Sequence, residues 1–263
     1  MAECTVNGVQ LHYDERGNGD PILCVHGAGS STQLWAAAVE ELANLGRVIA
    51  YDRRGCSRSE RPEPYERTSV SEHADDAAAL LDALDAAPAV IIGRSFGGTV
   101  ALDMAIRHPD SVRAIAVLEG DAPRELAPAT AEWIDAVGGR LREVAERDGV
   151  DAVGEVLIDE IFGAGVWSQL PDAMRSVLTE NGPALLAELG GEWWLDADAD
   201  ALAGLRQPVL LVGARDSRPE LRQPTDALAA ALPRARMVVV EGGHLIDPAA
   251  PEVLGFVREL LAV

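Results

Sequence analysis

Six short apolar segments, each closed by Gly, Pro, Asp or another polar residue, constrain this chain more than any other feature. They are Ile22–Val25, Val48–Tyr51, Val90–Ile92, Ala114–Leu118, Val209–Val212 and Met237–Val240. Each reads as a strand buried on both faces, the pattern of a parallel sheet covered on both sides. Helical stretches lie between them. Ser71–Ala86 spaces Leu80, Leu81 and Leu84 along one helix face before Pro88; Gly97–His108 stops at Pro109, Thr225–Leu232 stops at Pro233, and Pro251–Leu261 follows the last strand. Near the start, extended pieces around Thr5–Val6 and Gln10–Tyr13 flank Asn7-Gly8, a strong hairpin signal. Strands alternating with helices predict a parallel or mostly parallel α/β sheet.

One region breaks the alternation. From Pro123 to Leu205 the sequence carries helical patterns rich in Ala, Leu, Asp and Glu, and no buried strand. It reads as a helical insert over the edge of the sheet where the strands end. Four of the five tryptophans fall in it: Trp133, Trp167, Trp193 and Trp194. Singly each suits packing against the main domain; as a group they suggest an apolar pocket roof. A chain of 263 residues accommodates one such domain with its insert.

Composition removes several classes of function. A formal charge of −21 repels nucleic acid and anionic membranes, so neither is an expected partner. All 22 basic residues are arginine, which excludes Schiff-base chemistry and a P-loop lysine. Cys4, Cys24 and Cys56 have neither zinc-site spacing nor an even count, which fits a reducing cytoplasm better than a disulfide framework. No signal-peptide pattern opens the chain, and no apolar run reaches the ~18 residues that span a bilayer.

Chemistry gathers in the loops after the strands, where open α/β sheets bind ligands. Gly93-Arg94-Ser95-Phe96-Gly97 is a G-x-S-x-G between a strand and a helix, a nucleophile elbow. A serine hydroxyl needs a base, and His244 in Gly242-Gly243-His244 after the last strand is the candidate. His26 in the first loop suits a structural hydrogen bond, and His108 before Pro109 suits a helix end. Asp216 lies 28 residues before His244 in the preceding loop, giving the order Ser95, Asp216, His244.

With these loops in register, the sequence resembles the α/β-hydrolase fold superfamily, in its serine-nucleophile, esterase-like branch. The resemblance rests on His26-Gly27-Ala28-Gly29, the elbow and Gly243-His244. It implies a mostly parallel eight-stranded sheet flanked by helices, with residues 1–122 and 205–263 as the core and residues 123–204 as a helical cap. It implies Ser95 as nucleophile, His244 as base and then acid, and Asp216 as the orienting acid. The oxyanion hole carries over to the backbone N–H groups of Ala28 and Phe96, with Gly27 as a substrate-binding residue. In some members the acid follows the strand that here ends at Leu118, which makes Asp121 the alternative. Trp35 lies where relatives often place a pocket tryptophan, core packing being the other reading. No cofactor or metal is implied.

Two positions depart from the family pattern. Ser57 replaces the second glycine of the D-x-R-G-x-G-x-S turn, here Asp52 to Ser59. Arg94 precedes the nucleophile where His, Asn or Gln is familiar, and either pairs with a nearby acid, the reading preferred here, or steers an anionic substrate. Serine as nucleophile excludes the epoxide hydrolases and haloalkane dehalogenases of this fold, which use aspartate. It leaves esters, lactones and related acyl bonds of a small, largely apolar molecule, with carbon–carbon bond hydrolysis and perhydrolase-like chemistry as alternatives on the same triad. Two rivals come from other classes. A dinucleotide oxidoreductase would use Gly27-Ala28-Gly29 and Asp52, but Thr32 stands at the third glycine position. A small-molecule binding protein without turnover would keep the fold alone.

Overall fold

Among the described residues, eight strands form one sheet: β1 (Ala2–Val6), β2 (Val9–Arg16), β3 (Pro21–Val25), β4 (Arg47–Tyr51), β5 (Ala89–Arg94), β6 (Val112–Leu118), β7 (Val209–Ala214) and β8 (Arg236–Val240). Their order is β1-β2-β4-β3-β5-β6-β7-β8. The computed structural model describes residues 2–261; residue 1 and residues 262–263, the outer ends of the expected core segments, lie outside it. The hairpin of β1 and β2 is antiparallel and turns at Asn7 and Gly8, both in the left-handed region at φ 48° and 76°. Strand β2 pairs antiparallel with β4, and from β4 onward every pair is parallel. The strand order reverses at β3, and a crevice opens beyond the carboxyl ends there.

Among the described residues, ten α-helices cover the faces and the strand ends. They are α1 (Ala36–Leu42), α2 (Val70–Ala83), α3 (Phe96–Arg107), α4 (Pro128–Asp148), α5 (Val153–Phe162), α6 (Asp172–Glu180), α7 (Gly182–Gly190), α8 (Ala199–Ala203), α9 (Pro219–Ala231) and α10 (Pro251–Leu261). Alternate residues of each inner strand go to opposite faces. Leu23, Ile49, Ile91 and Ile115 meet Leu80 and Leu81 of α2 and Val100 and Met104 of α3. Ile22, Val48, Val90 and Ile92 meet Leu42 of α1 and Phe256 and Val257 of α10. Burying each such side chain contributes about 1.5–3 kcal/mol, which sets the register of the sheet. Between β6 and β7 lie α4 to α8, with no strand among the described residues.

Three local readings change. Helix α2 is capped by Ser69, whose Oγ accepts from Glu72 N–H, so it begins before Ser71. Helix α9 begins at Pro219 and runs through Pro224. The missing N–H of Pro224 would have met Glu220 O; instead Thr130 Oγ of α4 donates to that carbonyl at 2.5 Å. Strand β8 is not buried on both faces. It is the last strand of the sheet, and Val239 turns outward, 50% exposed. No helix among the described residues is long and apolar enough to cross a membrane.

Candidate active site

Ser95 joins β5 to α3 with φ 54° and ψ −128°, a backbone conformation that a side chain resists. The turn closes because its neighbours are glycines. A β-carbon on Gly93 would lie 2.1 Å from Gly97 O, and one on Gly97 would lie 2.2 Å from Val25 O. Ser95 N–H donates to Leu118 O at 2.8 Å, tying the elbow to the end of β6. Helix α3 starts at Phe96, so its first N–H groups, unpaired within the helix, open beside the serine.

His244 is buried in the loop after β8, and its Nδ1 lies 2.7 Å from Oε2 of Glu119. Glu119 is the residue directly after β6. Its Oε1 accepts from Ala214 N–H at 2.8 Å, and its Oε2 also accepts from Ser217 Oγ at 2.7 Å. A carboxylate at Nδ1 holds the proton there and leaves Nε2 as the basic nitrogen. That Nε2 is buried without a hydrogen-bond partner, and His244 lines the same cavity as Ser95.

Asp216, expected to orient His244, does not. It is exposed, and its N–H donates to Gly242 O at 2.8 Å. Its neighbour Ser217 is the residue of that loop that reaches the acid. Asp121, the alternative, is buried at the cavity wall, where its Oδ2 accepts from Trp193 Nε1 at 2.9 Å. Sequence reasoning missed Glu119. The available signal was a charged residue flush with the carboxyl end of a buried strand, beside the elbow strand β5.

The first loop is built on buried polar contacts. His26 Nε2 accepts from Arg53 N–H at 3.0 Å, so Nδ1 carries the proton and donates to Gly27 O at 2.8 Å. Burial pulls the His26 pKa down to about 3 and keeps the ring neutral. Arg53 donates to the carbonyls of His26 and Gly27 at 3.1 and 3.0 Å, and its guanidinium lies 4.7 Å from the Phe96 ring centre. The two residues whose N–H groups were assigned to an oxyanion hole, Ala28 and Phe96, are thus braced from one side by the same arginine. Gly27, Ala28, Ser95 and His244 line a cavity of about 220 Å³, closed above by Trp133, Leu157 and other apolar side chains from α4 to α7. No cluster of three or more His, Cys, Asp or Glu suited to a metal occurs among the described residues.

Comparisons with known proteins bear on the fold and the family. The family described as alpha/beta hydrolase fold matches residues 20–246. The chain belongs to that family. It is 40% identical over 149 residues to the 2-hydroxymuconate semialdehyde hydrolase of Pseudomonas sp. strain CF600, covering 55% of this chain and half of that hydrolase. It superposes on a thermophilic esterase from Thermogutta terrifontis with a TM-score of 0.75 and 26% identity, covering 99% of this chain and 96% of the esterase. An α/β-hydrolase enzyme from a Medee basin deep-sea metagenome, MGS-M2, superposes with a TM-score of 0.82 at 20% identity over 100% of this chain and 98% of its own.

Within this member of the α/β-hydrolase fold family, four further expectations meet the structure. Trp35 packs in the core and does not line the cavity; it is 1% exposed, among Val39 and Leu42 of α1. Arg94 has no carboxylate at ion-pair distance among the described residues. It lines the cavity, stacks over Trp35 at 5.5 Å and donates to Ile246 O at 3.3 Å, and burial draws its pKa down to about 10. Ser57 sits at φ 44°, where a glycine would be at ease, and Asn181 at the end of α6 accepts from its N–H at 2.6 Å. Asp52, which a nucleotide ribose would require, is instead buried and accepts from Thr32 N–H at 2.8 Å and Arg58 Nε at 2.9 Å.

The helices between β6 and β7 are fastened to the core by a buried ion pair. Glu188 of α7 lies 2.7 Å from Arg53, and both side chains are fully enclosed. Asn181 adds a hydrogen bond to Ser30 O at 2.9 Å.

Proposed function

We propose that this α/β hydrolase is a serine hydrolase that cleaves an ester, lactone or related acyl bond of a small, largely apolar substrate through an acyl-enzyme. The observation that carries the reading is the buried His244–Glu119 contact, with the unpartnered Nε2 in the cavity that Ser95 lines. Ser95 attacks the acyl carbon and passes its proton to His244 Nε2. Glu119 holds the imidazole in the required tautomer and stabilises the imidazolium that forms. The developing oxyanion takes hydrogen bonds from the N–H groups of Ala28 and Phe96. His244 then protonates the leaving group, and a water repeats the sequence to free the acid. Residues 123–204 act as the cap, whose apolar side chains favour a small acyl chain over a charged one. The names hydrolase and esterase among its relatives support the same class.

Intact-mass spectrometry after treatment with a fluorophosphonate tests the reading before a substrate is chosen. One adduct per chain is expected, absent in Ser95→Ala. Folded protein that takes no adduct, or an adduct that survives the substitution, overturns it.

A further inference from the structure

With Glu119 serving His244, Asp121 is left without a part in the triad, yet it stands in the wall of the same cavity. It is 7% exposed, and its position is tightly fixed. Its backbone N–H donates to Thr99 Oγ at 2.9 Å, and its Oδ2 accepts from Trp193 Nε1 at 2.9 Å. The Trp193 ring is itself held against Phe96, with ring centres 4.7 Å apart. The other oxygen, Oδ1, has no hydrogen-bond partner among the described residues, and no arginine pairs with the carboxylate. Oδ1 is an accessible acceptor on a residue that lines the cavity, and a donor from whatever fills that cavity can meet it.

Two further polar atoms of the same lining are buried and unpartnered. They are Trp133 Nε1, a donor, and Ser30 Oγ, a donor or acceptor. Beside Ser95, His244 and Arg94, the chamber therefore offers a fixed acceptor and two unused hydroxyl or indole groups.

We propose that Asp121 is a specificity-determining residue, accepting a hydrogen bond from an N–H or O–H group of the bound acyl substrate and turning away substrates that carry a carboxylate there. The inference rests on the cavity being the substrate pocket, and it narrows the substrate class to neutral acyl compounds bearing a hydrogen-bond donor. Burial lifts the Asp121 carboxyl to about 6, so above neutral pH it is an anion and accepts through both oxygens. Arg94 at the cavity is the competing influence, since a guanidinium there would draw carboxylates in.

Binding decides between them without reliance on turnover. Hexanamide, N,N-dimethylhexanamide and hexanoate are titrated at pH 7.5 and followed by intrinsic tryptophan fluorescence. Hexanamide is expected to bind about 10-fold more tightly than either of the others, the size of one good hydrogen bond to a charged acceptor. In Asp121→Asn the preference over hexanoate falls to within about 3-fold, because the repelling charge is gone. Hexanoate binding as well as hexanamide, a preference that survives in the variant, or no measurable hexanamide binding overturns the assignment. Should the variant fail to fold, the two amides on the unaltered chain decide alone, and equal affinity overturns it. None of these readouts needs Ser95 to be nucleophilic, so failure of the serine-hydrolase reading in the fluorophosphonate experiment stays distinct.

Discussion

Glu119 Oε2 and His244 Nδ1 lie 2.7 Å apart, although 125 residues separate them in the chain. In the proposed mechanism this contact makes the first residue past β6 the acid of the site, with Ala214 at the end of β7 and Ser217 just after it as supporting donors. Substituting Glu119→Gln puts an amide nitrogen where the carboxylate must accept from three donors. We expect kcat for a p-nitrophenyl ester to fall by about 10³–10⁴, as when a triad acid loses control of the histidine tautomer. Asp216→Asn should stay within about 3-fold, since its carboxylate meets no catalytic group. A large loss in Asp216→Asn with Glu119→Gln nearly unchanged would return the acid to the β7 loop.

The elbow depends on absent side chains. A β-carbon at Gly97 would meet Val25 O at 2.2 Å, a backbone atom with no room to yield. Gly97→Ala is therefore expected to destabilise the fold by more than about 3 kcal/mol. Gly139, within α4, has open space at the same distance. Gly139→Ala should raise stability by about 0.5–1 kcal/mol through helix propensity alone. Urea unfolding of both variants beside the parent checks the pair.

The Asp121 carboxyl titrates near 6 against an ordinary value of 3.8, chiefly because burial disfavours its charge. Its folded pKa lies above its unfolded one, so the fold is favoured when the group is protonated and loses that advantage as pH rises through 6. The gap of roughly two pH units corresponds to about 3 kcal/mol. Asp121→Asn is expected to stabilise the protein by up to that amount at pH 8, by progressively less as pH falls through 6, and not at all below about 4. Melting temperatures of parent and variant across this range would read it. A pH-independent difference would mean that the carboxyl is not strained by burial.

Neutralising Glu188 should act in the opposite sense. Glu188→Gln leaves Arg53 charged, enclosed and without its partner, a change that typically costs about 3–5 kcal/mol. Because Arg53 also holds the carbonyls of His26 and Gly27, activity should decline together with the denaturation midpoint. Asp148→Asn, which removes an exposed partner of Arg147, should leave both unchanged.

Much of this was legible in the sequence, and the failures have physical causes. Buried parallel strands announce themselves as apolar runs, and the elbow and Gly243-His244 follow from local chemistry. The identity of the acid does not. Glu119, Asp121 and Asp216 all lie in loops at the same end of the sheet, and only the register of β6 against β5 and β7 brings one of them to Nδ1. The helix expected from Thr225 begins six residues earlier and passes through Pro224, because the freed carbonyl of Glu220 is taken up by a hydroxyl from Thr130, 90 residues away in sequence. Met237 and Val239 read as buried because hydrophobicity does not tell an edge strand from an inner one. Arg94 and Trp35 both read as pocket residues, but Arg94 lines the cavity while Trp35 packs in the core beneath its guanidinium, an order that sequence does not give.

The Arg53–Glu188 pair also bears on how such proteins diversify. Residues 123–204 look like an exchangeable module, joined to the core at only two points along the chain. Yet grafting the equivalent stretch from another member would leave a guanidinium stranded beneath the Gly27 carbonyl unless the donor supplied an acid at the place of Glu188. A workable chimaera of this protein must therefore either carry an acid at position 188 or exchange the residue at position 53 along with the graft, and the same coupling ties change in one segment to change in the other.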